Sequence, residues 1–348
     1  MSGKRAAYLD EAPGEARGVT TLGGKPERLL IVRTGDIPSQ SLGAVVAARV
    51  RKLDRRAGLA FLDLGEGPDG ILNLNGVDHP LTEGLTLEVE IRAEARAEKG
   101  PTVRFLGEGQ GAPRCLRPPP SLEERLQRLA PEARIVTGSA ARGAADLAEA
   151  EVFETVFALP GGGTLSVEPT RALTAVDVDL GDRGGATPKQ ASRSANLAAL
   201  AEAARVLRLK GLGGLVVIDL IGQGHDAQAL LAAARAAFAP DNPGVAMAGV
   251  SRFGALEIAV PRRMRPTIER LAGADGQPSS ETLALRLVRA LEREAAADPG
   301  GRFVGLAPAE VTTRAEPVLP LLNRRFGGRL SLRAEWPGAG APFLVIPV

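Results

Sequence analysis

The stretch that decides the fold is Leu173-Thr-Ala-Val-Asp177-Val-Asp179-Leu-Gly181, followed later in the chain by Gly213-Gly-Leu-Val-Val-Ile-Asp219. Polar and apolar residues alternate in the first segment, so a strand there turns Asp177 and Asp179 to one face. The second segment is an apolar run that ends in one acid, which predicts a buried strand with Asp219 at its end. Acids at neighbouring strand ends, with no Lys or Arg between them, form the oxygen-rich set that Mg²⁺ prefers. A single acid would be better explained as a solvated strand end, but the set favours a metal site.

Composition limits the class of protein. A chain of 348 residues predicts two or three domains. The single cysteine excludes an internal disulfide framework and a multi-cysteine zinc site, and two histidines argue against a histidine-rich metal site. The net charge of +2 requires any nucleic-acid surface to be local. No N-terminal run resembles a signal peptide and no apolar run reaches about 18 residues, so we expect a cytoplasmic protein without a membrane partner.

Short strands broken by Gly and Asp predict a small β-barrel early in the chain. The predicted strands are 44–50, 59–64, 70–74 and 85–93. The segment before them lacks periodicity, so we expect residues 1–27 to begin loosely ordered and a strand to follow at 29–32. Residues 109–120 are rich in Gly and Pro and predict a linker.

The central third of the chain resembles the ribonuclease E/G family. The resemblance rests on the order and spacing of four segments: Arg171-Ala-Leu-Thr-Ala-Val-Asp177-Val, Asn196-Leu, residues 203–219, and Ser251-Arg-Phe-Gly-Ala-Leu-Glu257. The barrel region is similar to that family's S1 (OB-fold) domain at Ala60-Phe-Leu-Asp-Leu-Gly65, Gly70-Ile-Leu and Lys99-Gly100. The tail from about Glu281 is similar to its small C-terminal domain.

The resemblance implies an α+β protein of five segments. These are an N-terminal segment that packs on the catalytic region (1–38), an S1/OB-like RNA-binding barrel (39–107), a linker with short helices (108–150), a mixed α/β, DNase I-like catalytic domain (151–271) and a small α+β C-terminal domain (272–348).

The family's metal site is carried over residue by residue. In the family two aspartates hold Mg²⁺, and these positions fall on Asp177 and Asp219. The family has an asparagine two residues after the first aspartate, and that position is Asp179 here, which adds negative charge. We therefore expect all three acids to be catalytic and metal-binding residues, with Mn²⁺ as a substitute for Mg²⁺. Two further acids of the family are replaced, by Ala198 and Gly222.

The predicted partner is single-stranded RNA. Phe61 projects from its strand on the face of Asp63, where an aromatic ring can stack on a base. The family's second stacking aromatic is Ile71 here, and the residue that matches Lys99 contacts RNA in the family. The basic flank of the barrel can contact phosphates, although a solvated hairpin face explains the same charges. This flank comprises Arg49, Arg51, Lys52, Arg55, Arg56 and Lys99.

The chain also departs from the family pattern in two larger features. The zinc-link motif should lie near residues 272–279, which contain no cysteine, so we expect no zinc and, for any homo-oligomer, assembly without a zinc link. Residues 108–150 are too few for the family's 5′-phosphate sensor. We therefore expect a short form that lacks most of that domain.

The resemblance implies a Mg²⁺-dependent endoribonuclease of RNA processing or decay, whose cleavage would leave a 5′-phosphate and a 3′-hydroxyl. The alternative is a non-catalytic RNA-binding protein derived from the same family. A dinucleotide-binding loop at Gly222-Gln-Gly-His-Asp-Ala227 fits its fingerprint. However, the acid that should follow it, Asp241, lies in a Pro/Asn/Gly loop, and Asp219 would repel a pyrophosphate.

Overall fold

The computed structural model describes residues 3–96, 99–182, 187–222, 226–335, 338 and 340–348. These residues form a mixed α+β structure with four β-sheets. They divide into two compact units, one of Met1–Tyr8, Gly18–Leu30 and Asp36–Thr267, the other of Leu9–Arg17, Ile31–Gly35 and Ile268–Val348. No helix in the described ranges combines the length and the apolar character that crossing a membrane requires.

The chain begins with three strands, β1 (Arg5–Ala12), β2 (Glu15–Leu22) and β3 (Lys25–Arg33). Over the described residues, the expectation that residues 1–27 begin loosely ordered is therefore wrong; residues 1–2 lie outside them. The cause is that charged side chains occupy buried strand positions: Glu15, Arg17 and Glu27 are 4%, 1% and 1% exposed. A strand whose interior positions are ion-paired lacks the apolar alternation that predicts strands.

In the first unit these strands carry charges that pair with the central domain. Arg5 Nε lies 2.7 Å from Glu27 Oε2, and Arg208 Nε lies 3.0 Å from Glu27 Oε1. Burial raises the pKa of Glu27, but the hydrogen bond from Arg5 and the charges of Arg208, Arg5 and Arg28 outweigh it, so its pKa lies below the ordinary value of 4.5. Glu27 is therefore an anion that stabilises the folded state at neutral pH.

Five strands close a barrel within the same unit. They are β4 (Val45–Asp54), β5 (Leu59–Asp63), β6 (Gly70–Asn73), β7 (Thr86–Ala93) and β8 (Thr102–Glu108). They pair in the cyclic order β4-β5-β6-β8-β7-β4, with β6 and β8 parallel. The core is aliphatic, with Val46, Leu62 and Val89 fully buried. The four predicted strands are confirmed, and β8 is a fifth that the pattern did not predict.

The predicted linker contains a strand, β9 (Arg114–Arg117), which pairs with β4. The Gly/Pro-rich pattern did not predict this strand, because all four β9 side chains are exposed. Such a strand is held through its backbone and leaves no hydrophobic pattern in the sequence. The connection continues through α1 (Leu122–Leu129), β10 (Ile135–Val136) and α2 (Ser139–Phe153). Strand β10 runs parallel to β1, and the N-terminal sheet has the order β10-β1-β2-β3.

A six-stranded sheet forms the rest of the first unit. Its elements are β11 (Val156–Ala158), β12 (Thr164–Pro169), β13 (Thr174–Asp179), α3 (Pro188–Lys210), β14 (Gly214–Asp219), α4 (Ala227–Phe238), β15 (Ala246–Val250) and β16 (Ala255–Val260). The strand order is β11-β12-β13-β14-β16-β15, and β13–β14 is its one parallel pair. Parallel neighbours need a crossover, which α3 supplies. One sheet face is buried with residues of α3 and α4 in an apolar core.

Helix α3 has clear sequence signals at both ends. Thr187 and Gln190 form a capping box, and Pro188 occupies the first turn. The helix ends at Gly211, whose φ of 64° lies in the left-handed region that glycine tolerates best.

The second unit contains α5 (Thr267–Leu271), α6 (Ser280–Ala297), β17 (Phe303–Ala307), α7 (Ala309–Ala315), α8 (Leu319–Phe326), β18 (Leu330–Ala334) and β19 (Leu344–Pro347). The sheet order is β18-β17-β19. The strand predicted at 329–336 is observed as β18, and residue 336 lies outside the described residues. Within this unit a buried network joins α6 to the N-terminal strands, with Arg289 2.7 Å from Glu15 and Arg17 2.6 Å from Asp10.

Candidate functional site

Asp177 and Asp219 occupy directly opposed positions on the parallel strands β13 and β14. Both are exposed, while their neighbours Val176 and Ile218 are 2% and 0% exposed in the core behind them. Register partners share a sheet face, and neighbouring strands lie about 4.8 Å apart. The fold therefore brings together two acids that the sequence separates by a whole helix.

Asp179 follows Asp177 on the same face, roughly 7 Å further along β13. Its register partner is Thr164 on β12, and the β13–β14 pairing stops at Asp177. The Asp179 carboxylate accepts a hydrogen bond of 2.7 Å from the backbone N–H of Gly181. Across the described ranges, no group of three or more His, Cys, Asp and Glu side chains is placed to hold a metal ion. The arrangement is thus an opposed pair with a third acid beside it.

The open face of this sheet carries further acids. Glu257 on β16 is opposite Val217, and Glu168 on β12 is opposite Ala175. Both are exposed on the face that Asp177 and Asp219 share. The paired positions of this face on β12, β13, β14 and β16 hold no Lys or Arg. The resulting negative potential attracts cations and, without them, repels a phosphate backbone.

Asn196 holds the loop that follows Asp219. It is 1% exposed on α3, its Nδ2 donates to the Ile221 carbonyl at 3.0 Å, and its Oδ1 accepts from the Ile221 N–H at 2.9 Å. The side chain thus satisfies both polar groups of one backbone residue just after β14. The resemblance includes Asn196 but does not indicate this positioning role. One feature of the sequence indicates this role: asparagine is disfavoured inside a helix, and a buried asparagine needs hydrogen-bond partners.

The two replaced acids have different surroundings. Ala198 is half-buried on α3. Gly222 has a φ of 90°, and a Cβ there would lie 3.0 Å from the Ser192 hydroxyl. This loop therefore disfavours any side chain at position 222, which accounts locally for the missing acid. Residues 223–225 of the dinucleotide-like segment lie outside the described residues.

A cavity of about 340 Å³ borders the same loop. It is lined by the first turns of α3, including Lys189 and Arg193, and by the start of α4 at Asp226. Arg193 and Asp226 approach to 3.5 Å and are both more than half exposed, so this ion pair contributes little to stability. The side chains of Lys189 and Arg193 thus line a cavity at the end of the sheet where β14 terminates.

On the barrel, Phe61 and Ile71 are register partners and both are half-buried. The β4 neighbour of Phe61 is Lys52, because a bulge between Val50 and Lys52 shifts the register. The outer surface of the barrel therefore combines an aromatic ring, an aliphatic side chain and an exposed lysine in one row. Sequence spacing alone does not reveal such a bulge.

The predicted basic flank is not uniform. Arg51 lies 3.0 Å from Asp63 and 3.4 Å from Asp69. The Gly65 N–H lowers the pKa of Asp63 most, burial opposes it, and the hydrogen bond and charge of Arg51 lower it further. Arg49 is exposed and opposite Asp63. Much of the charge of this pair of arginines is therefore balanced locally, whereas the Lys52 side chain has no hydrogen bond or ion pair with a described residue.

Lys99 is exposed and precedes a glycine that the packing requires. A Cβ on Gly100 would lie 1.8 Å from the Asp69 carbonyl oxygen, a distance at which no side chain fits. Pro101, the next residue, accepts a hydrogen bond of 2.7 Å from the Ile71 N–H. The Lys99-Gly100 pair is therefore fixed beside the strand that carries Ile71.

Comparison with known proteins agrees with this arrangement. Residues 138–263 match the model of the Ribonuclease E/G family. The chain is 32% identical to Ribonuclease E of Haemophilus influenzae over 173 residues, which are 46% of this chain and 18% of the relative. It is 31% identical to Ribonuclease E of Escherichia coli over 173 residues, 46% of this chain and 16% of the relative. A chloroplastic Ribonuclease E/G-like protein of Arabidopsis thaliana is 33% identical over 140 residues, 38% of this chain and 14% of the relative.

The matched part thus spans less than a fifth of these relatives. It contains the parallel strands β13 and β14, the crossover helix α3 and both opposed aspartates. Through these residues, the central part of the chain is similar to the ribonuclease E/G family.

Proposed function

We propose that this protein is a Mg²⁺-dependent endoribonuclease that cleaves single-stranded RNA, with Asp177 and Asp219 as the metal-holding residues. The observation that carries the proposal is the register of β13 and β14, which opposes the two acids on an exposed face. Mg²⁺ usually keeps several waters and takes one or two carboxylates. A pair of aspartates therefore suits this ion without a third protein ligand.

When bound, Mg²⁺ would supply a water of lowered pKa and positive charge beside the phosphodiester oxygens. The residues of the chain would have separate tasks. Asp177 and Asp219 would hold the ion, and Asp179 would orient a water through the carboxylate oxygen that Gly181 does not bind. Asn196 positions the loop after β14. Glu168 and Glu257 keep the surrounding face negative, so that phosphate approaches only where a cation neutralises it.

We further propose that the barrel is an S1/OB-type RNA-binding module and the six-stranded sheet a DNase I-like catalytic domain. The closed order of five strands, with its one parallel pair, supports the first assignment. Phe61 would stack on a base, and Lys52 and Lys99 would contact phosphates. The relatives from Haemophilus influenzae and Escherichia coli are named Ribonuclease E, which supports RNA as the substrate.

The test is cleavage of a fluorescent single-stranded RNA in Mg²⁺ and in EDTA. We expect cleavage in Mg²⁺ only, and a loss of at least about 100-fold in Asp177→Asn and Asp219→Asn, equivalent to about 2.7 kcal/mol of transition-state stabilisation. Glu168→Gln is the charge-matched comparison: it removes one negative charge from the same face but not from the opposed pair, so cleavage should fall far less than 100-fold. Circular dichroism verifies folding in each variant.

Two results would overturn the proposal. Cleavage that continues in EDTA would remove the metal from it. A double Asp177→Asn, Asp219→Asn variant with normal cleavage would make these acids structural. RNA binding without cleavage in Mg²⁺ or Mn²⁺ would instead support the non-catalytic alternative.

A further inference from the structure

A large aromatic side chain is exposed to solvent at the turn between β15 and β16. Phe253 is 78% exposed, more than any other large apolar side chain in the part of the chain that the structure describes. An isolated exposed apolar residue is common on protein surfaces. Phe253 is different because a hydrogen-bonded turn carries it, because it lies at the end of the sheet near Asp219, and because Arg252 contacts its ring.

The turn that carries Phe253 is held by hydrogen bonds. The Ser251 hydroxyl accepts from the N–H groups of Phe253 at 3.3 Å and Ala255 at 3.2 Å. The Ser251 N–H donates to the Ala255 carbonyl at 2.8 Å, and the Gly254 N–H donates to the Ser251 carbonyl at 3.0 Å. The ring is therefore presented by a defined turn, which lowers the conformational entropy lost when a ligand packs on it.

The turn lies at the end of the sheet that carries the acidic pair. Ala255 is the register partner of Asp219. The Leu220 N–H donates to the Gly254 carbonyl at 3.2 Å. Phe253 is thus two residues from the position opposite Asp219, within reach of a nucleotide next to one bound at the acids.

Arg252 supplies the positive charge that the strands of this face lack. Its guanidinium carbon lies 4.6 Å from the centroid of the Phe253 ring, a cation–π contact. Because the ring is 78% exposed with Arg252 beside it, an aromatic ligand can reach the ring from solvent. A guanidinium also binds phosphate oxygens with two parallel hydrogen bonds.

We propose that Phe253 and Arg252 form a nucleobase-binding subsite beside the acidic pair. An unpaired base stacks on the Phe253 ring, and Arg252 contacts the phosphate joined to that nucleotide. Stacking accepts any base, because every base has a π face. A base inside a duplex is already stacked and cannot reach the ring, so the subsite selects single strands. This inference rests on the proposed ribonuclease function and adds the feature of the substrate that the site reads.

The test uses the 348-residue chain and a short single-stranded RNA that carries 2-aminopurine, a base whose fluorescence falls when it stacks. We expect Phe253→Ala to weaken binding about tenfold, within the range for one base–aromatic stack, and to reduce the quenching. Phe253→Tyr should retain both properties, and Phe253→Leu should behave like alanine because it lacks a π face. Arg252→Ala should weaken binding and lower its salt dependence.

Leu215→Ala is the matched control, since Leu215 is 42% exposed on β14 away from the acidic end. It should bind and quench like the unchanged protein, and duplex RNA should bind equally to the unchanged protein and to the Phe253 variants. Binding and quenching that are unchanged in Phe253→Ala would overturn the subsite, even if cleavage by the unchanged protein upholds the proposed nuclease. A protein that never cleaves, but whose quenching depends on Phe253, would retain the subsite and lose the nuclease.

Discussion

Replacing Asp177 by asparagine should raise the stability of the metal-free protein rather than lower it. Asp177 and Asp219 are directly opposed on neighbouring strands, and like charges in that position destabilise a sheet. Asparagine has almost the same shape and removes one of the two charges. Because Asp177 is exposed, the substitution disturbs no apolar packing.

The size of the effect follows from the separation of the charges. Two unit charges about 4 Å apart in water repel by about 1 kcal/mol, and salt reduces this value. The free energy of unfolding in EDTA should therefore rise by up to about 1 kcal/mol, which corresponds to an increase in Tm of up to roughly 3 °C. Glu168→Gln should change Tm less, since Glu168 faces Ala175 and not another acid.

A bound cation reverses this order. A ligand that binds only the folded state at ten times its Kd stabilises by about 1.4 kcal/mol. Titration with Mg²⁺ should therefore raise the Tm of the unchanged protein and leave that of Asp177→Asn nearly constant. The two curves should cross as Mg²⁺ increases.

The measurement is thermal unfolding followed by circular dichroism, in EDTA and over a Mg²⁺ series at constant ionic strength. A Tm that falls in EDTA on replacement of Asp177 would refute the repulsion, and with it the short separation of the carboxylates. Equal Mg²⁺ shifts in both proteins would show that the ion binds elsewhere.

Four further predictions follow from other parts of the molecule. Asn196→Ala and Asn323→Ala each remove two hydrogen bonds to one backbone residue. Both should lower the free energy of unfolding, measured in urea, by roughly 1–3 kcal/mol. Only Asn196→Ala should also lower cleavage, and equal losses of activity would contradict its positioning role. Because its folded pKa is lowered, Glu27 stabilises the protein above the ordinary pKa of 4.5 and loses this contribution as the pH falls below that value. Glu27→Gln should unfold at a lower urea concentration at pH 7, and its free energy of unfolding should decrease less steeply as the pH falls below 4.5. An unchanged pH dependence in this variant would contradict the role of Glu27. Lys52→Ala should reduce the salt slope of RNA binding by about 0.7, whereas ion-paired Arg51→Ala should reduce it less, and the reverse order would move the RNA surface. Finally, RNAs with a 5′-monophosphate and a 5′-hydroxyl should be cut at similar rates, and a tenfold preference for the monophosphate would reveal a surface that senses the 5′ end.

The sequence was most informative where one sheet face is buried and the other is open. Alternation around Asp177 predicts its strand and its exposed face, and the apolar run before Asp219 predicts the neighbouring strand. Both are observed. The exact register of the two strands was not predictable, because it depends on how the crossover helix α3 packs across the sheet.

Prediction failed where backbone pairing or buried ion pairs replace apolar burial. Arg17 is 1% exposed in β2, and a buried arginine looks like a surface residue in sequence. Strand β9 is exposed at all four positions and is held to β4 by its backbone. The bulge that places Lys52, rather than Arg51, next to Phe61 likewise depends on pairing between strands. None of these features leaves a periodic signal along the chain.

The crossover between β13 and β14 also determines when the acidic pair forms during folding. Parallel strands pair only after the intervening helix has closed a long loop, and such non-local contacts are the slow ones. Asp177 and Asp219 therefore remain apart in early folding states, and their repulsion arises only when the sheet is complete. Removing one charge should consequently slow unfolding and leave the folding rate almost unchanged, because the affected contact is absent from the transition state. No fragment that ends before β14 contains the pair, so the proposed metal site would form in a single late step.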